Sequence, residues 1–468
     1  MKQIQFTYHR RPTTTTLVGN LPIGSDYPVR IQSMANTDTN DIDGSVRQAL
    51  RIAEAGSDLI RFTTQGKREV ESLALIHAQL HRTTDVPLVA DVHFNAAVAD
   101  LAAQTVEKVR INPGNYIDPA RKFVHIEYTD PEYQAELLRL RQRFTTLLNI
   151  CKEHHTALRI GVNHGSLSDR IMSRYGDTPA GMVESCMEFL RVCTEENFLN
   201  VVISIKASNT GIMVETVRLL VKQMEQEHMA FPLHLGVTEA GDGEDGRIKS
   251  AVGIGALLAD GIGDTIRVSL SEAPEAELPV ARALADYFEQ PDSPRYSAVQ
   301  CYIDEAVHYH SDEDTDWASF ALHAAADLGK VLFDTRNANL IIRNPHFSGE
   351  QCDRLALDIL QAARLKLYKT EYISCPSCGR TLFDIETTIA AVKAATSHLK
   401  GLKIGIMGCI VNGPGEMADA DYGYVGAGRG RISLYKKKEC IRKNIPEEEA
   451  VEALIELIKE NGDWQEKP

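Results

Sequence analysis

VRIQSM at residues 29–34, VRQALRIAEA at 46–55 and LIRFTT at 59–64 have the pattern of a β-strand, an α-helix and a second β-strand. The strand segments are mostly apolar or β-branched, which is typical of parallel strands buried on both faces. Eight such runs precede residue 272, with helical patterns between them. They cover residues 29–34, 59–64, 87–92, 108–111, 158–162, 201–206, 232–237 and 265–270. Eight alternations of strand and helix predict an α/β fold of the (β/α)8 TIM-barrel type.

The length of 468 residues is ample for more than one domain. We predict that the barrel occupies residues 1–272 and that an N-terminal hairpin seals its bottom. Residues 273–367 contain acidic helical patterns, so we expect a mostly helical insert or linker there. Strand and helix patterns in residues 368–468 predict a small α+β domain.

The composition narrows the class of protein. A net charge of −15 argues against extended contact with nucleic acid or a membrane surface. No run reaches the ~20 apolar residues of a transmembrane helix, and the N-terminus lacks a secretion signal. Nine cysteines, irregularly spread in a long chain, indicate a reducing compartment. We therefore expect a cytoplasmic protein.

Polar residues occur where the predicted barrel strands end, which is where active sites of this fold lie. Five of them are cations, namely Arg61, Arg110, Arg159, Lys206 and Arg267. The others are Asp91, His93, Asn112, Asn163, Ser208 and Ser269. Each cation could pair with a carboxylate inside the barrel, but five at matched positions favour a bound polyanion such as a phosphate ester.

Glu239, in GVTEAG, stands among these cations and could exchange protons with a bound substrate. A salt bridge to Arg267 or Lys206 is an equally good reading. Asp91 and His93 could orient a substrate or bind a metal, although a polar layer at the barrel top explains them as well.

The C-terminal region contains a candidate metal centre. Cys375 and Cys378 lie in CPSC, and Cys409 and Glu416 lie in GCIVNGPGE. Zinc ribbons use the CPSC spacing too, but a structural zinc site closes with Cys or His rather than Glu. Three thiolates with one weaker oxygen ligand favour a [4Fe–4S] cluster over zinc. The other six cysteines are expected to be structural thiols.

Eight motifs carry a resemblance to a known family. They are IQSMANTDT at 31–39, KVRINPGN at 108–115, RIGVNHGSL at 159–167, SIKAS at 204–208, LGVTEAG at 235–241, GDTIRVSL at 263–270, CPSCGR at 375–380 and GCIVNGPGE at 408–416. On these motifs the chain resembles the 4-hydroxy-3-methylbut-2-enyl diphosphate synthases, iron–sulfur enzymes of the non-mevalonate (MEP) isoprenoid pathway. The resemblance implies two-electron reduction of 2-C-methyl-D-erythritol 2,4-cyclodiphosphate, with ring opening and loss of water.

The resemblance also implies residue roles and partners. The strand-end residues would hold the diphosphate, and Glu239 would donate the proton for water loss. Glu416 would be a displaceable cluster ligand that makes way for the substrate. Electrons would come from flavodoxin or ferredoxin. In short members of the family, a partner's cluster domain caps the barrel in a homodimer.

The chain departs from the short family form between the barrel and the cluster domain. Leu270 and Cys375 are 105 positions apart, whereas the short form has a few tens of residues there. The long form carries a full extra domain, for which this segment is too short. We expect a reduced form of that domain, which leaves the cluster domain free to cap its own barrel.

Two other classes of function remain open at this stage. The first is a non-redox barrel enzyme that acts on a phosphorylated or pterin substrate and has a structural zinc site in its C-terminal region. Such a protein would be colourless. A protein that only relays electrons would have no use for the strand-end cations. We predict a brown, air-sensitive protein on anaerobic purification, with both iron and acid-labile sulfide. Zinc without sulfide would contradict the synthase.

Overall fold

The predicted barrel is present in the computed structural model, which describes residues 2–4, 8–118, 127–289, 299–410, 413–417 and 419–467, without the side chains of Pro414 and Glu416. Eight parallel strands form one sheet, and a bridge between Ile203 and Leu233 closes it. The strands are Arg30–Met34, Leu59–Thr64, Leu88–Val92, Lys108–Ile111, Ala157–Asn163, Val201–Lys206, His234–Leu235 and Thr265–Ile266. The last two are shorter than predicted, because the chain leaves the sheet there to form the barrel mouth.

Helices cover the outside of the barrel. They are Ile42–Glu54, Lys67–Leu80, Ala96–Ala103, Asp130–His154, Pro179–Glu195, Thr210–Gln226, Gly243–Ala259 and Pro274–Glu289, with short helices Pro113–Tyr116 and Asp169–Tyr175 in two of the connections. The eighth, Pro274–Glu289, is joined to the last strand by a buried ion pair between Glu277 and Arg267. We therefore propose that it belongs to the barrel, although the boundary expected at residue 272 precedes it.

The N-terminal hairpin seals the barrel bottom, as predicted. Strands Thr16–Val18 and Leu21–Ile23 pair antiparallel. Val18 and Ile23 pack in one apolar cluster with barrel residues, among them Leu59 and Val89. This closure leaves the C-terminal mouth, at the other end, available for a site.

The segment between the barrel and the last domain combines helices with a small sheet that the sequence analysis did not predict. It contains helices Trp317–Thr335 and Gly349–Ala362, but also strands Gln300–Ile303, Val307–His310 and Leu340–Arg343. These strands form a four-stranded sheet with Lys2–Ile4, from the opposite end of the chain. Strands of four residues are too short for a clear alternating pattern, and their partner is remote in sequence, so local reasoning missed them.

This segment is packed on the barrel rather than acting as a linker. Its buried side chains belong to the same apolar core as the barrel. Helices Gly243–Ala259 and Trp317–Thr335 meet at glycines: a methyl group added at Gly329 would lie 2.3 Å from the carbonyl oxygen of Val252. Close backbone contact of this kind fixes the insert on the outside of the barrel.

The C-terminal region folds as the predicted α+β unit. Its five-stranded sheet is Glu371–Ser374, Lys403–Met407, Tyr422–Gly428, Arg431–Lys436 and Glu439–Pro446, with helices Ile385–Thr396, Gly413–Glu416 and Glu447–Glu460. The first three strands are parallel and the last three antiparallel. Its large apolar core is separate from that of the barrel. Across the described residues of the whole chain, none of the helices combines the length and apolarity that a membrane span needs.

We predict that Gly329→Ala destabilises the protein by about 1–3 kcal/mol, because the added methyl group overpacks the contact between two helices. The apparent Tm in differential scanning fluorimetry should fall. Gly349→Ala is the matched control, since nothing lies within 4 Å of its added methyl group. Equal melting temperatures for the two variants would contradict the proposed docking of the insert.

Candidate active site

A cavity between the barrel mouth and the C-terminal domain unites most of the predicted site residues. It is lined by Met34, Arg61, Asp91, Arg110, Asn163, Lys206, Thr238, Glu239, Arg267, Ser269, Cys375, Pro376, Cys378, Arg380, Met407, Cys409 and Gly413. The barrel supplies four of the five predicted cations, and the C-terminal domain supplies all three predicted thiols. The cations at the barrel strand ends and the cysteines of the C-terminal domain are far apart in sequence, but they line the same cavity.

Asp91 is the carboxylate around which the cations gather. Its oxygens lie 3.0 Å from Arg110, 3.6 Å from Arg380 and 4.0 Å from Arg61. Burial alone would raise the pKa of Asp91, but Arg61 and Arg110 hold it well below its usual range. One negative charge is thus shared among three guanidinium groups.

Arg267 pairs with a buried carboxylate, which was the alternative explanation for the cations at the strand ends. Its Nη2 donates to Glu277 Oε1 at 2.8 Å and its Nε to Oε2 at 3.1 Å, with both side chains buried. Arg110 is also well anchored, because it donates to Asn163 Oδ1 at 2.8 Å and to the carbonyl of Gly161 at 3.0 Å. These contacts fix the geometry of the mouth.

Lys206 is held in a strongly electropositive environment. Burial and the nearby arginines, Arg61 and Arg159 foremost, lower the pKa of Lys206 well below its usual range. An anion in the cavity would favour the charged ammonium. The surplus of cations over carboxylates therefore fits an anionic ligand.

Arg380 is a cavity residue that the sequence analysis missed as a site residue, although it ends the CPSCGR motif. Its Nε and Nη1 are enclosed and have no hydrogen-bond partner among the described residues. Burial opposes its charge, but Cys378, Asp91 and Cys409 raise its pKa above the ordinary value. A basic residue two positions after the CxxC pair was the available signal. Arg380 brings a fifth cation to the cavity from the cluster domain.

Four of the predicted binding residues lie outside the cavity lining. Arg159 is fully buried inside the barrel, where its Nε and Nη1 have no hydrogen-bond partner among the described residues. His93 lies behind Asp91, 3.5 Å away, and burial together with Arg110 lowers its pKa to about 4. Asn112 caps the helix Pro113–Tyr116, and its Nδ2 donates to Ser166 at 3.0 Å. Ser208 is buried next to the mouth.

Glu239 lines the cavity beside the thiols. It is buried, and its φ of +50° places it in the left-handed region, which a non-glycine residue rarely adopts. Its carbonyl accepts a hydrogen bond from Lys249 Nζ at 3.4 Å. Strained backbone of this kind is often retained where a side chain must be aimed at a functional site.

The three thiols converge from two loops of the C-terminal domain. Cys375 and Cys378 follow strand Glu371–Ser374, and Cys409 follows strand Lys403–Met407, which is its parallel neighbour. The backbone N–H of Gly408 donates to Cys375 Sγ at 3.2 Å. Burial and then the neighbouring Cys378, Glu239 and Cys409 raise the pKa of Cys375 well above its usual range. These crowded thiols would therefore lose their protons only if a positively charged group, such as a metal centre, lay among them.

This donor set fits an iron–sulfur cluster. Three sulfurs converge on one cavity, and a backbone amide and a guanidinium lie beside them. Among the described residues, the one group of three or more His, Cys, Asp or Glu ligand atoms within 4.8 Å of one another lies elsewhere. The sulfurs therefore spread wider than the ligands of a single zinc ion, about 3.8 Å apart for Zn–S bonds of about 2.3 Å. The Glu416 side chain lies outside the described residues, so its role as a ligand stays a prediction.

Close contacts hold the cluster domain over its own barrel. Methyl groups added at Gly165 or Gly415 would lie 2.3 and 2.6 Å from the carbonyl oxygen of the other residue. Ser271 Oγ donates to the carbonyl of Cys375 at 3.1 Å, and Asn36 Nδ2 donates to Ser377 Oγ at 2.8 Å. Cavity walls from both domains therefore come from one chain.

Comparison with known proteins gives a consistent match. The GcpE TIM-barrel domain matches residues 13–282, and the GcpE protein C-terminal domain matches residues 371–460. A protein of Parabacteroides distasonis, named 4-hydroxy-3-methylbut-2-en-1-yl diphosphate synthase (flavodoxin), is 49% identical over 98% of this chain and 99% of its own length. A Bacteroides fragilis protein of the same name is 50% identical over 99% of this chain and 97% of its own length.

A third relative is of similar length to this chain. The Synechococcus protein named 4-hydroxy-3-methylbut-2-en-1-yl diphosphate synthase (ferredoxin) is 46% identical over 462 aligned residues, 97% of this chain and 95% of that protein. The alignment with the Parabacteroides protein extends over 606 residues, more than the 468 of this chain. That relative therefore contains residues that this chain lacks.

We predict that Gly415→Ala loosens the contact between the two domains, because the new methyl group meets the carbonyl of Gly165. Overpacking of about 1–3 kcal/mol would raise the open population by roughly 5- to 150-fold. Hydrogen exchange of residues 163–167 should become faster. Gly428→Ala is the control, since its nearest neighbour, Arg431 Cβ, lies 3.8 Å away. Equal exchange in both variants would show that this contact does not hold the domains together.

Proposed function

The chain belongs to the GcpE family of 4-hydroxy-3-methylbut-2-en-1-yl diphosphate synthases, and from this membership we propose how its own residues carry out the reaction. It is an oxidoreductase of isoprenoid precursor synthesis. The proposed substrate is 2-C-methyl-D-erythritol 2,4-cyclodiphosphate. Two electrons and two protons enter, the ring C–O bond to the diphosphate breaks, and one water leaves to give the linear allylic diphosphate.

The observation that carries this proposal is the single cavity shared by the strand-end cations, Glu239 and the three thiols. A redox centre bound by the thiols would reach a substrate held by the cations without a relay. The alternative of a non-redox barrel enzyme with a structural zinc tail is not favoured, because the thiols would then lie away from the substrate.

The cations of the mouth bind the diphosphate in this proposal. Arg61, Arg110 and Arg380 already share the single charge of Asp91, so phosphate oxygens can take up their remaining donors. Lys206 would regain its full charge beside a phosphate, because the pKa that burial and the arginines lower would rise again. Arg267 is oriented by Glu277, while Asn163 and Ser269 add uncharged partners.

Arg159, His93, Asn112 and Ser208 then act on the site through other residues. His93 lies against Asp91 and Arg110 and stays neutral at physiological pH, since its pKa is about 4. It therefore leaves the negative charge of Asp91 to the arginines. Asn112 orders the loop that presents Asn163, by its hydrogen bond to Ser166. These residues position the binding groups.

Cys375, Cys378 and Cys409, with Glu416, would hold a [4Fe–4S] cluster, which supplies the two electrons and a Lewis-acidic iron. Electrons would reach it from flavodoxin or ferredoxin, the donors printed in the names of the relatives. Arg380 stabilises the charge of the thiolates and of the substrate at the same time. A second copy of the chain is not required to complete the cavity, so the homodimer stays a prediction, as does the cytoplasmic location.

Glu239 is the proposed proton donor. It is the carboxylate that the cavity places beside Cys375, and its enclosed position shields the proton from bulk water. A proton delivered to the departing hydroxyl turns it into water, a much better leaving group. The surrounding cations keep the resulting carboxylate stable until it is protonated again.

We predict that Glu239→Gln lowers kcat by roughly 10²–10⁴-fold, because the amide keeps the shape of the side chain but cannot donate a carboxyl proton. KM, iron and sulfide should stay close to those of the unaltered protein. Steady-state kinetics with a reduced donor, together with iron and sulfide analysis, measure these quantities.

Lys206→Met is the contrasting variant in the same assay. It removes a cation but no proton donor, so its main expected effect is a rise in KM for the cyclic diphosphate. Near-normal kcat in Glu239→Gln would contradict the proton-donor role. Unchanged KM in Lys206→Met would place the anion elsewhere.

A further inference from the structure

A cluster of three metal-ligating side chains lies at the barrel bottom, far from the mouth in the fold. His77 lies in the last turn of helix Lys67–Leu80, and His81 caps its C-terminal end. Glu107 directly precedes strand Lys108–Ile111, at the end of the strand opposite the mouth. The two imidazole Nε2 atoms and one carboxylate oxygen all lie within 4.8 Å of one another.

The cluster contains one hydrogen bond and one longer contact between a histidine and the same carboxylate oxygen. His77 Nε2 lies 2.6 Å from Glu107 Oε1, which is an ordinary hydrogen-bond distance. His81 Nε2 lies 4.0 Å from the same oxygen, too far for a hydrogen bond. That nitrogen is enclosed and has no hydrogen-bond partner among the described residues. A buried nitrogen without a partner, turned toward a shared carboxylate, fits a coordination site.

The stacking of the two rings supports this interpretation. The imidazole centroids are 4.0 Å apart with an interplanar angle of 28°. Two protonated imidazoles stacked this closely would repel each other, whereas two neutral ones can bind one ion. Tetrahedral zinc with bonds of about 2.0–2.1 Å places its ligand atoms about 3.3 Å apart. The observed distances of 2.6 and 4.0 Å bracket that value.

The surroundings of Glu107 and of the helix end favour a bound cation. The second oxygen of Glu107 accepts the backbone N–H of Leu88 at 2.8 Å, which orients the carboxylate and leaves Oε1 toward the histidines. The carbonyl groups at the C-terminal end of the helix present partial negative charge. The side chains of His77, His81 and Glu107 remain 27%, 27% and 18% exposed, so the cluster borders solvent although His81 Nε2 itself is enclosed.

We propose that His77, His81 and Glu107 form a second metal site, separate from the thiols, which takes a divalent transition ion such as Zn²⁺ with water as a fourth ligand. Two imidazoles and one carboxylate suit zinc among the available divalent ions. The ion joins the second barrel helix to the start of the fourth strand, next to the sealed bottom. With water as the fourth ligand the site differs from closed structural zinc sites, and its expected effect is to stabilise the barrel bottom when the ion is bound.

This site changes how the metal content of the protein is interpreted. One zinc per chain can accompany a full complement of iron and sulfide. Zinc found in a metal analysis would then not show that the cysteines bind it. Variants of each site are needed to tell which residues hold the zinc.

The test uses the full-length protein with its iron–sulfur centre in place, purified anaerobically and dialysed against a weak chelator. Zn²⁺ is titrated against a chromophoric competitor, and bound zinc, iron and sulfide are quantified. His81→Ala removes the nitrogen that has no hydrogen-bond partner, and Glu107→Gln removes the charge but keeps the shape. His154→Ala, at the exposed end of helix Asp130–His154, is the matched control.

We expect one tightly bound zinc in the unaltered protein and in His154→Ala. His81→Ala and Glu107→Gln should bind it at least about tenfold more weakly, with iron and sulfide unchanged. Saturating zinc should raise the apparent Tm of the unaltered protein and not that of His81→Ala. No zinc uptake by the unaltered protein, or equal affinity in His81→Ala, would overturn the proposal. Zinc that disappears only when the cysteines are replaced would do so as well.

Discussion

The active site depends on the backbone contact that presses the cluster domain onto the barrel mouth. Gly165 and Gly415 approach so closely that a methyl group on either would collide with a carbonyl oxygen. That approach brings three thiols from one domain to four cations from another and encloses them together. In a low-dielectric enclosure, charges act strongly on one another, so the closure strengthens the interactions of the thiols with Glu239 and of Arg380 with Asp91.

In the proposed reaction, this closure has to open for the substrate to enter. The principal apolar cores of the barrel and the cluster domain are separate, and polar contacts join the two domains. Examples are the hydrogen bond from Asn36 to Ser377 and the ion pair between Lys249 and Glu371. A polar interface of this kind would let the domains part without exposing a large apolar surface.

The two ends of the barrel have different tasks. At the mouth, cations outnumber the carboxylates that could neutralise them, and the proposed diphosphate ligand would restore the balance of charge. At the bottom, the hairpin fills the barrel with apolar side chains, and a histidine–carboxylate cluster joins a helix to a strand. The insert packs on the outside and shares the core of the barrel. Stability and reactivity are therefore built at opposite ends.

Local patterns in the sequence were enough to predict the barrel, the small C-terminal unit and the thiol set, because continuous apolar runs, helical periodicity and CxxC spacing need no knowledge of distant contacts. The sequence also brought Arg61, Arg110, Lys206 and Arg267 to one mouth, since strand ends of a barrel converge. Tertiary structure decided the rest. Arg159 lies inside the barrel, Arg380 enters the site from the other domain, and Lys2–Ile4 pairs with a strand about 300 residues away. Contacts between side chains of different domains depend on how remote segments pack together. No local sequence pattern encodes that packing.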